Sequence, residues 1–269
     1  TNNSIGDELP THTNVIFRLE NLVSRIKPDD TFIFYFSGHG MMRDSRQYLL
    51  TVNSDPRSLA TLAASAIPLE TVHQLLNKVK AHQVLVILDS CRNDPEKGKG
   101  DKDNSLTEEL ARGFLIKSRS VLDGMPGSTA TLYASSVGER AYEWDSMKSG
   151  VFSYYLIEGL KGACVDANNE VTLRGLANYA INRVRAWSLD NLPNGRCQTP
   201  WLVSEGAADM VLAKVVPKFG KLDIQITPAG SNILVNGKSI GQTPTKLELP
   251  VGQHRIEVNH DGYTPIVHG

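Results

Sequence analysis

Two uninterrupted apolar runs, Phe32-Ile33-Phe34-Tyr35-Phe36 and Val84-Leu85-Val86-Ile87-Leu88, constrain the fold more than any other feature of the chain. Runs of β-branched, aromatic and aliphatic residues without polar alternation suit parallel strands covered on both faces. Between them, Pro68 to Lys80 carries Leu69, Val72, Leu76 and Val79 at helical spacing, with Pro68 placed in a first turn. Strand, helix and strand in this order form a right-handed crossover that sets the two strands side by side. Their carboxyl ends then share one edge of the sheet, where open α/β folds place ligands and chemistry. Each run closes on a short polar motif, Ser37-Gly38-His39-Gly40 after the first and Asp89-Ser90-Cys91-Arg92-Asn93 after the second. The topology therefore predicts that His39 and Cys91 meet.

Those two residue types are useful to each other. A thiol near its free pKa is mostly protonated at neutral pH, whereas the thiolate is the nucleophile. A neighbouring imidazole can take that proton and later give one to a leaving amine. Gly38 and Gly40 let the backbone approach a substrate closely, and the Gly40 N–H is placed to help hold a tetrahedral oxyanion. A cysteine at a strand end also packs well as a small apolar residue. It is the pairing with Ser37-Gly38-His39-Gly40, in this order, that favours catalysis.

The chain resembles a caspase-type cysteine peptidase of the bacterial metacaspase-like kind. Phe34-Tyr35-Phe36-Ser37-Gly38-His39-Gly40 and Val86-Ile87-Leu88-Asp89-Ser90-Cys91-Arg92-Asn93 carry the resemblance, and Cys91 follows His39 by 52 positions, near the spacing of about 50 in caspases. Thr131 to Ser136, continuing through Glu139, Ala141 and Glu143, resembles the family's next strand and substrate loop. Gly150 to Leu160 resembles the helix after it, and Gln198-Thr199-Pro200 a stretch near the domain's end. The resemblance implies an α/β fold with a mostly parallel, caspase-like sheet flanked by helices. It implies His39 as general base and acid, Cys91 as nucleophile, and the N–H groups of Gly40 and Cys91 as oxyanion donors. Animal caspases have glutamine two residues before the cysteine. Asp89 stands there instead, as in metacaspase-like chains, where an acidic residue lines the primary specificity pocket. A carboxylate there suits the guanidinium of arginine and, less well, lysine. Cleavage after Arg or Lys follows as the expectation, with Glu143 and Asp145 adding negative charge to the same cleft. Asp89 as a helix N-cap or local hydrogen-bond acceptor is the competing reading.

The organisation around this core is read as follows. A first helix is expected over Thr13 to Lys27, with Val15, Leu19, Leu22 and Ile26 on one face. Caspase-like sheets normally begin with two strands before that helix, so the N-terminal strands are expected to be missing, by truncation or by cleavage. Asn93 to Ser105 has no aliphatic or aromatic residue and reads as an exposed connector or as a linker cut on activation. Lys97, Lys99, Lys102 and Arg112 are then self-processing candidates. Val171 to Trp187, with Leu173, Leu176, Ala180, Val184 and Trp187 on one stripe, is expected as a core-facing helix, and Ala208 to Leu212 as the last strand.

Pro217-Lys218-Phe219-Gly220 marks a change of composition and divides the chain into residues 1–216 and 220–269. Beyond it Leu222, Ile224 and Ile226 alternate, as do Leu247 and Leu249, and Ile256 and Val258, between good turn sequences. Ile233-Leu234-Val235-Asn236-Gly237, Gly241-Gln242-Thr243-Pro244 and Gly262-Tyr263 make this segment resemble a PEGA domain, a small all-β module, with the naming tetrapeptide altered to Pro228-Ala229-Gly230-Ser231. That family usually has another strand after Gly262-Tyr263, so this end is expected to be cut. The resemblance implies attachment to an envelope component or a protein, with location left between cytoplasm and envelope.

Composition bounds the partners. The formal charge of −1 over 269 residues offers no basic footprint for nucleic acid. No apolar stretch reaches the roughly 20 residues of a membrane-spanning helix. His12, His73, His82, His254, His260 and His268 lack metal-ligand spacing, and Cys164 and Cys197 read as spare thiols. No metal site is expected, although some metacaspases need calcium as an activator and no calcium-loop motif is present here. The expected partner is a protein or peptide substrate, and the expected state a monomer. A non-catalytic caspase-like scaffold tethered through its β module is the alternative function, and another thiol hydrolase or transferase a third.

Overall fold

The two apolar runs pair as parallel strands, Thr31–Ser37 beside Gln83–Asp89, with Thr31 opposite Gln83 and Ser37 opposite Asp89. The structure is a computed structural model describing residues 9–44, 46–90, 92–93 (backbone), 127–136, 139–206, 209–216 and 219–268. Ser128–Tyr133 adds a third parallel strand on the other side of Gln83–Asp89, and Trp201–Glu205 closes the sheet antiparallel to it. The sheet is therefore mixed. Gln83–Asp89, inside the sheet, is buried on both faces.

Alternation along the strands sorts the helices into layers. Phe32, Val84, Val86 and Leu88 share one core with Leu19 and Val23 of helix His12–Val23 and with Leu69, Val72, Leu75 and Leu76 of helix Leu69–Leu76. Leu85 and Ile87 point to the opposite face. On that side Tyr35 hydrogen-bonds Ser153 of helix Val151–Glu158, which packs on the long helix Leu173–Asn191. The predicted stripe of that long helix is the buried one.

Several elements differ from the sequence reading. Among the described residues the first strand has a neighbour on one side only, and on one of its faces Ile33 and Tyr35 are 47% and 48% exposed. Its apolar run reports strand propensity more than burial on both faces. The first helix ends at Val23, and Val23, one turn on from Leu19, turns inward while Leu22 is exposed; Ile26, beyond the helix, still packs against the core. Helix Leu69–Leu76 starts one residue later than expected, with Pro68 at its N-cap in extended backbone; Val79 is buried beyond its end. Glu170–Thr172 is a short strand before the long helix, and it pairs with Val211–Lys214 away from the main sheet. The segment expected as the last strand thus belongs to that ribbon, and Trp201–Glu205 takes its place in the sheet.

A second small sheet carries the histidine motif. Gly40–Arg43 and Arg46–Leu49 form a hairpin, Ile67–Pro68 pairs on its outer side, and Arg92–Asn93 pairs in parallel with Gly40–Met41.

The unit Val215–Gly269 is all strand. Phe219–Ile224 pairs antiparallel with Thr245–Pro250, and a second sheet runs in the order Lys238–Gln242, Asn232–Val235, Ile256–Asn259, Ile266–His268. The alternating residues form its core: Ile224, Ile233, Val235 and Val258 are buried, with Leu222, Ile226, Leu247, Leu249 and Ile256 against them. Val235 and Lys238 flank the two-residue turn Asn236-Gly237, both at positive φ, which suits the twist of a hairpin. A strand does follow Gly262-Tyr263. Ile266–His268 is three exposed residues, too short to announce itself by pattern.

Candidate active site

Ladder register brings the two polar motifs together. Ser37 sits opposite Asp89 at the end of the main sheet, and Gly40 opposite Arg92 in the smaller one. Between these pairs the Gly38 N–H donates to the Asp89 carbonyl at 3.0 Å, and the His39 carbonyl accepts from the Leu50 N–H at 2.9 Å. The backbone on both sides of the imidazole is thereby tied to a neighbouring strand. His39 lines a cavity of about 130 Å³ with Ser37, Gly38, Asp89, Ser90, Ala141, Tyr142, Glu143 and Gly150.

Asp89 is 7% exposed and forms part of the wall of this cavity. The Ser153 hydroxyl donates to its Oδ2, and the Tyr35 hydroxyl lies 2.6 Å from Ser153 Oγ. Burial pushes the carboxyl above its usual range; the Ser153 hydrogen bonds oppose that, and the nearby Glu143 charge reinforces it. Ser90 is also buried, and its Oγ has no hydrogen-bond partner among the described residues.

Of the predicted site residues, His39, Asp89 and Glu143 line this cavity, Gly40 follows His39 as the first residue of the smaller sheet, and Asp145 lines an adjoining cavity. That cavity, about 530 Å³, shares Ser37, Glu143 and Gly150 with the first and continues to Tyr35, Trp144, Lys148, Ser153 and Ile157. Cys91, Lys97, Lys99, Lys102 and Arg112 lie outside the described residues. An imidazole beside a buried carboxylate can move a proton and receive a cationic side chain in one cleft.

The cleft wall is braced from below. Gln198, fully buried, donates through Nε2 to the Ala134 carbonyl at 2.9 Å and accepts from the Tyr142 N–H at 2.9 Å. Its own N–H donates to Ser188 of the long helix at 3.0 Å. Glu139 accepts from the Thr199 hydroxyl at 3.0 Å, and Ser136 donates to the Thr199 carbonyl at 2.9 Å. The segments singled out by resemblance around Glu139 and Gln198 are thus the fastening of the loop that carries Glu143. Ser153 and Tyr35 were missed by sequence reasoning. The available signal was Gly150, an N-cap without a side chain.

Among the described residues no group of three or more His, Cys, Asp or Glu is arranged to hold a metal, and no helix is long and apolar enough to cross a membrane.

A family model described as the caspase domain matches residues 4–211, and one described as the PEGA domain matches residues 219–269. A search of curated proteins finds no match to the sequence. Among solved structures, a protein from Geobacter sulfurreducens is similar over 74% of this chain and 75% of its own, at 15% identity and a TM-score of 0.44. Caspase-1 from Spodoptera frugiperda is similar over 71% of this chain and 66% of its own, at 12% identity and a TM-score of 0.43.

Proposed function

The chain belongs to the caspase family, and from that premise we propose that it is a cysteine endopeptidase with Cys91 as nucleophile and His39 as general base and acid, cleaving after arginine or lysine. The observation that carries this reading is the buried Asp89 carboxylate in the cavity that His39 lines. Register supports the dyad: Ser37 faces Asp89 and Gly40 faces Arg92, the same offset that separates His39 from Cys91.

In this mechanism the Cys91 thiol gives its proton to His39, and the sulfur attacks the scissile carbonyl carbon. The N–H groups of Gly40 and Cys91 receive the oxyanion. Collapse breaks the C–N bond, His39 protonates the departing amine, and a thioester remains. Water then adds with its proton passing to His39, the S–C bond breaks, and the new acid leaves. Substrate choice comes from Asp89. An arriving guanidinium supplies the positive charge that the buried carboxylate lacks, and so favours its ionised form. Glu143 and Asp145 extend the negative lining. The same preference makes Lys97, Lys99, Lys102 and Arg112 candidate sites of self-cleavage.

Hydrolysis of fluorogenic peptides ending in Arg, Lys or Asp, by wild type and Cys91→Ala, tests the reading. Turnover after Arg and Lys that vanishes in the variant is the expected result. Turnover after Asp alone removes the role given to Asp89, and none at all points to a binding scaffold.

A further inference from the structure

The helix Val151–Glu158 begins without a cap of its own. Helices His12–Val23, Leu59–Ser65 and Leu173–Asn191 each have a Ser or Thr at the N-cap accepting a backbone N–H. Helix Val151–Glu158 has Gly150 there, and no side chain of its own makes that bond. The Val151 N–H is met by the Tyr142 carbonyl at 2.9 Å, and the helix end attracts negative charge. Asp89, on strand Gln83–Asp89, meets this end: the hydroxyl of Ser153, the third helical residue, donates to its carboxylate.

Two further observations fit the carboxylate to this place. A Cβ built on Gly150 would lie 2.8 Å from Asp89 Oδ2, nearer than real Cβ contacts come. The Gly150 backbone, at φ −60 and ψ 140, is open to any residue, so the absence of a side chain serves space rather than conformation. A serine hydroxyl has one proton, and an ionised carboxylate only accepts. With the Ser153 proton committed to Asp89, the bond from Tyr35 at 2.6 Å must be donated by the phenol.

We propose that Ser153 and Tyr35 are positioning residues that aim the Asp89 carboxylate into the substrate cleft, in room left by Gly150 at the start of helix Val151–Glu158. The inference rests on the reading of Asp89 as the acceptor of a basic substrate side chain. A carboxylate has lone pairs for about four donors, so one hydroxyl leaves capacity for a guanidinium. Tyr35 orients Ser153, Ser153 orients Asp89, and substrate touches only the last.

The test uses the full chain. Ser153→Ala is expected to weaken cleavage after Arg about tenfold in kcat/KM, carried by KM, as loss of one hydrogen bond to a charged group implies. Tyr35→Phe should cost about threefold, because it removes orientation rather than a bond to the carboxylate. Ser153→Thr, which keeps a hydroxyl, should restore most of the loss. Gly150→Ala should weaken Arg cleavage at least as much as Ser153→Ala. A second measurement needs no turnover. In ¹³C-carboxyl NMR, Asp89 should titrate at higher pH in Ser153→Ala than in wild type and return in Ser153→Thr. His39, Tyr142 and Glu143 share its cavity, and Asp145 and Lys148 line the next, but these are the same in every variant. An unchanged Asp89 titration in Ser153→Ala and Tyr35→Phe overturns the inference, whatever the peptides show. Asp89→Asn separates the two levels. If it cleaves after Arg as wild type does, the specificity reading falls and takes the aiming role with it. If Arg cleavage is lost while Ser153→Ala leaves KM unchanged, only the positioning role falls.

Discussion

The strands Thr31–Ser37 and Gln83–Asp89 look alike as sequence and differ as structure. Both are apolar over five consecutive residues, and they pair along their whole length. One is buried from Val84 to Asp89, whereas the other leaves Ile33 and Tyr35 about half exposed. The difference comes from neighbours. Gln83–Asp89 has a strand on each side and helices on both faces; among the described residues Thr31–Ser37 has one strand partner. An apolar run identifies a strand, and its seat in the sheet decides what the run is for. Here the inner strand supplies a fixed carboxylate, and the outer strand supplies groups that face the opening: Tyr35, Ser37 and then His39.

The largest effect expected from this contrast is in Leu85→Ala. Leu85 is fully buried, and its truncation should cost about 3 kcal/mol in chemical denaturation. Gln198→Leu should come next, at about 2 kcal/mol, because the Tyr142 N–H and the Ala134 carbonyl each lose a buried partner. An unchanged denaturation midpoint would show that the loop is fastened by other contacts. Asp89→Asn should be milder and of opposite sign. Burial raises the Asp89 carboxyl, so the folded chain binds that proton more tightly than the unfolded chain does. The stability this contributes is full below the ordinary value of 3.8 and is lost as pH climbs through the raised one. Asp89→Asn should therefore melt a few degrees above wild type at neutral pH and converge with it in acid. A wild type that melts higher at neutral pH would mean that the Ser153 hydrogen bonds outweigh the cost of burial. The smallest effect belongs to Ile33→Ala, below about 1 kcal/mol for a half-exposed side chain. A loss equal to that of Leu85→Ala would break the comparison, since it would require Ile33 to be covered in solution.

Legibility in the sequence followed the reach of each signal. The crossover unit, the long helix and the alternation in the C-terminal module are local patterns with strong periodicity, and their elements are where the pattern puts them. Trp201–Glu205 was not seen because its five residues carry no clear alternation, and its place depends on pairing with Ser128–Tyr133. Leu22 and Val23 are adjacent, and both lie about one turn on from Leu19, so the rotation of the helix on the core decides which one turns inward. His39 and Asp89 were readable as motifs. Tyr35 and Ser153 were not, because 118 residues separate them and their bond exists only across a folded interface. Sequence alone leaves the pocket and hydrogen-bond-acceptor readings of Asp89 open, because the hydroxyl it accepts from belongs to Ser153, 64 residues further along.

The ladder positions also say which lengths in this gene are free to drift. Ser37 with Asp89 and Gly40 with Arg92 are rungs, and only two residues of each strand lie between them. A crossover helix and its loops can gain or lose residues on the way from one strand to the next without disturbing those rungs. One residue inserted between Ser37 and Gly40, or between Asp89 and Arg92, has nowhere to go except into the cleft. Natural length variation in relatives should therefore gather in the connections and stop short of both dipeptides, Gly38-His39 and Ser90-Cys91.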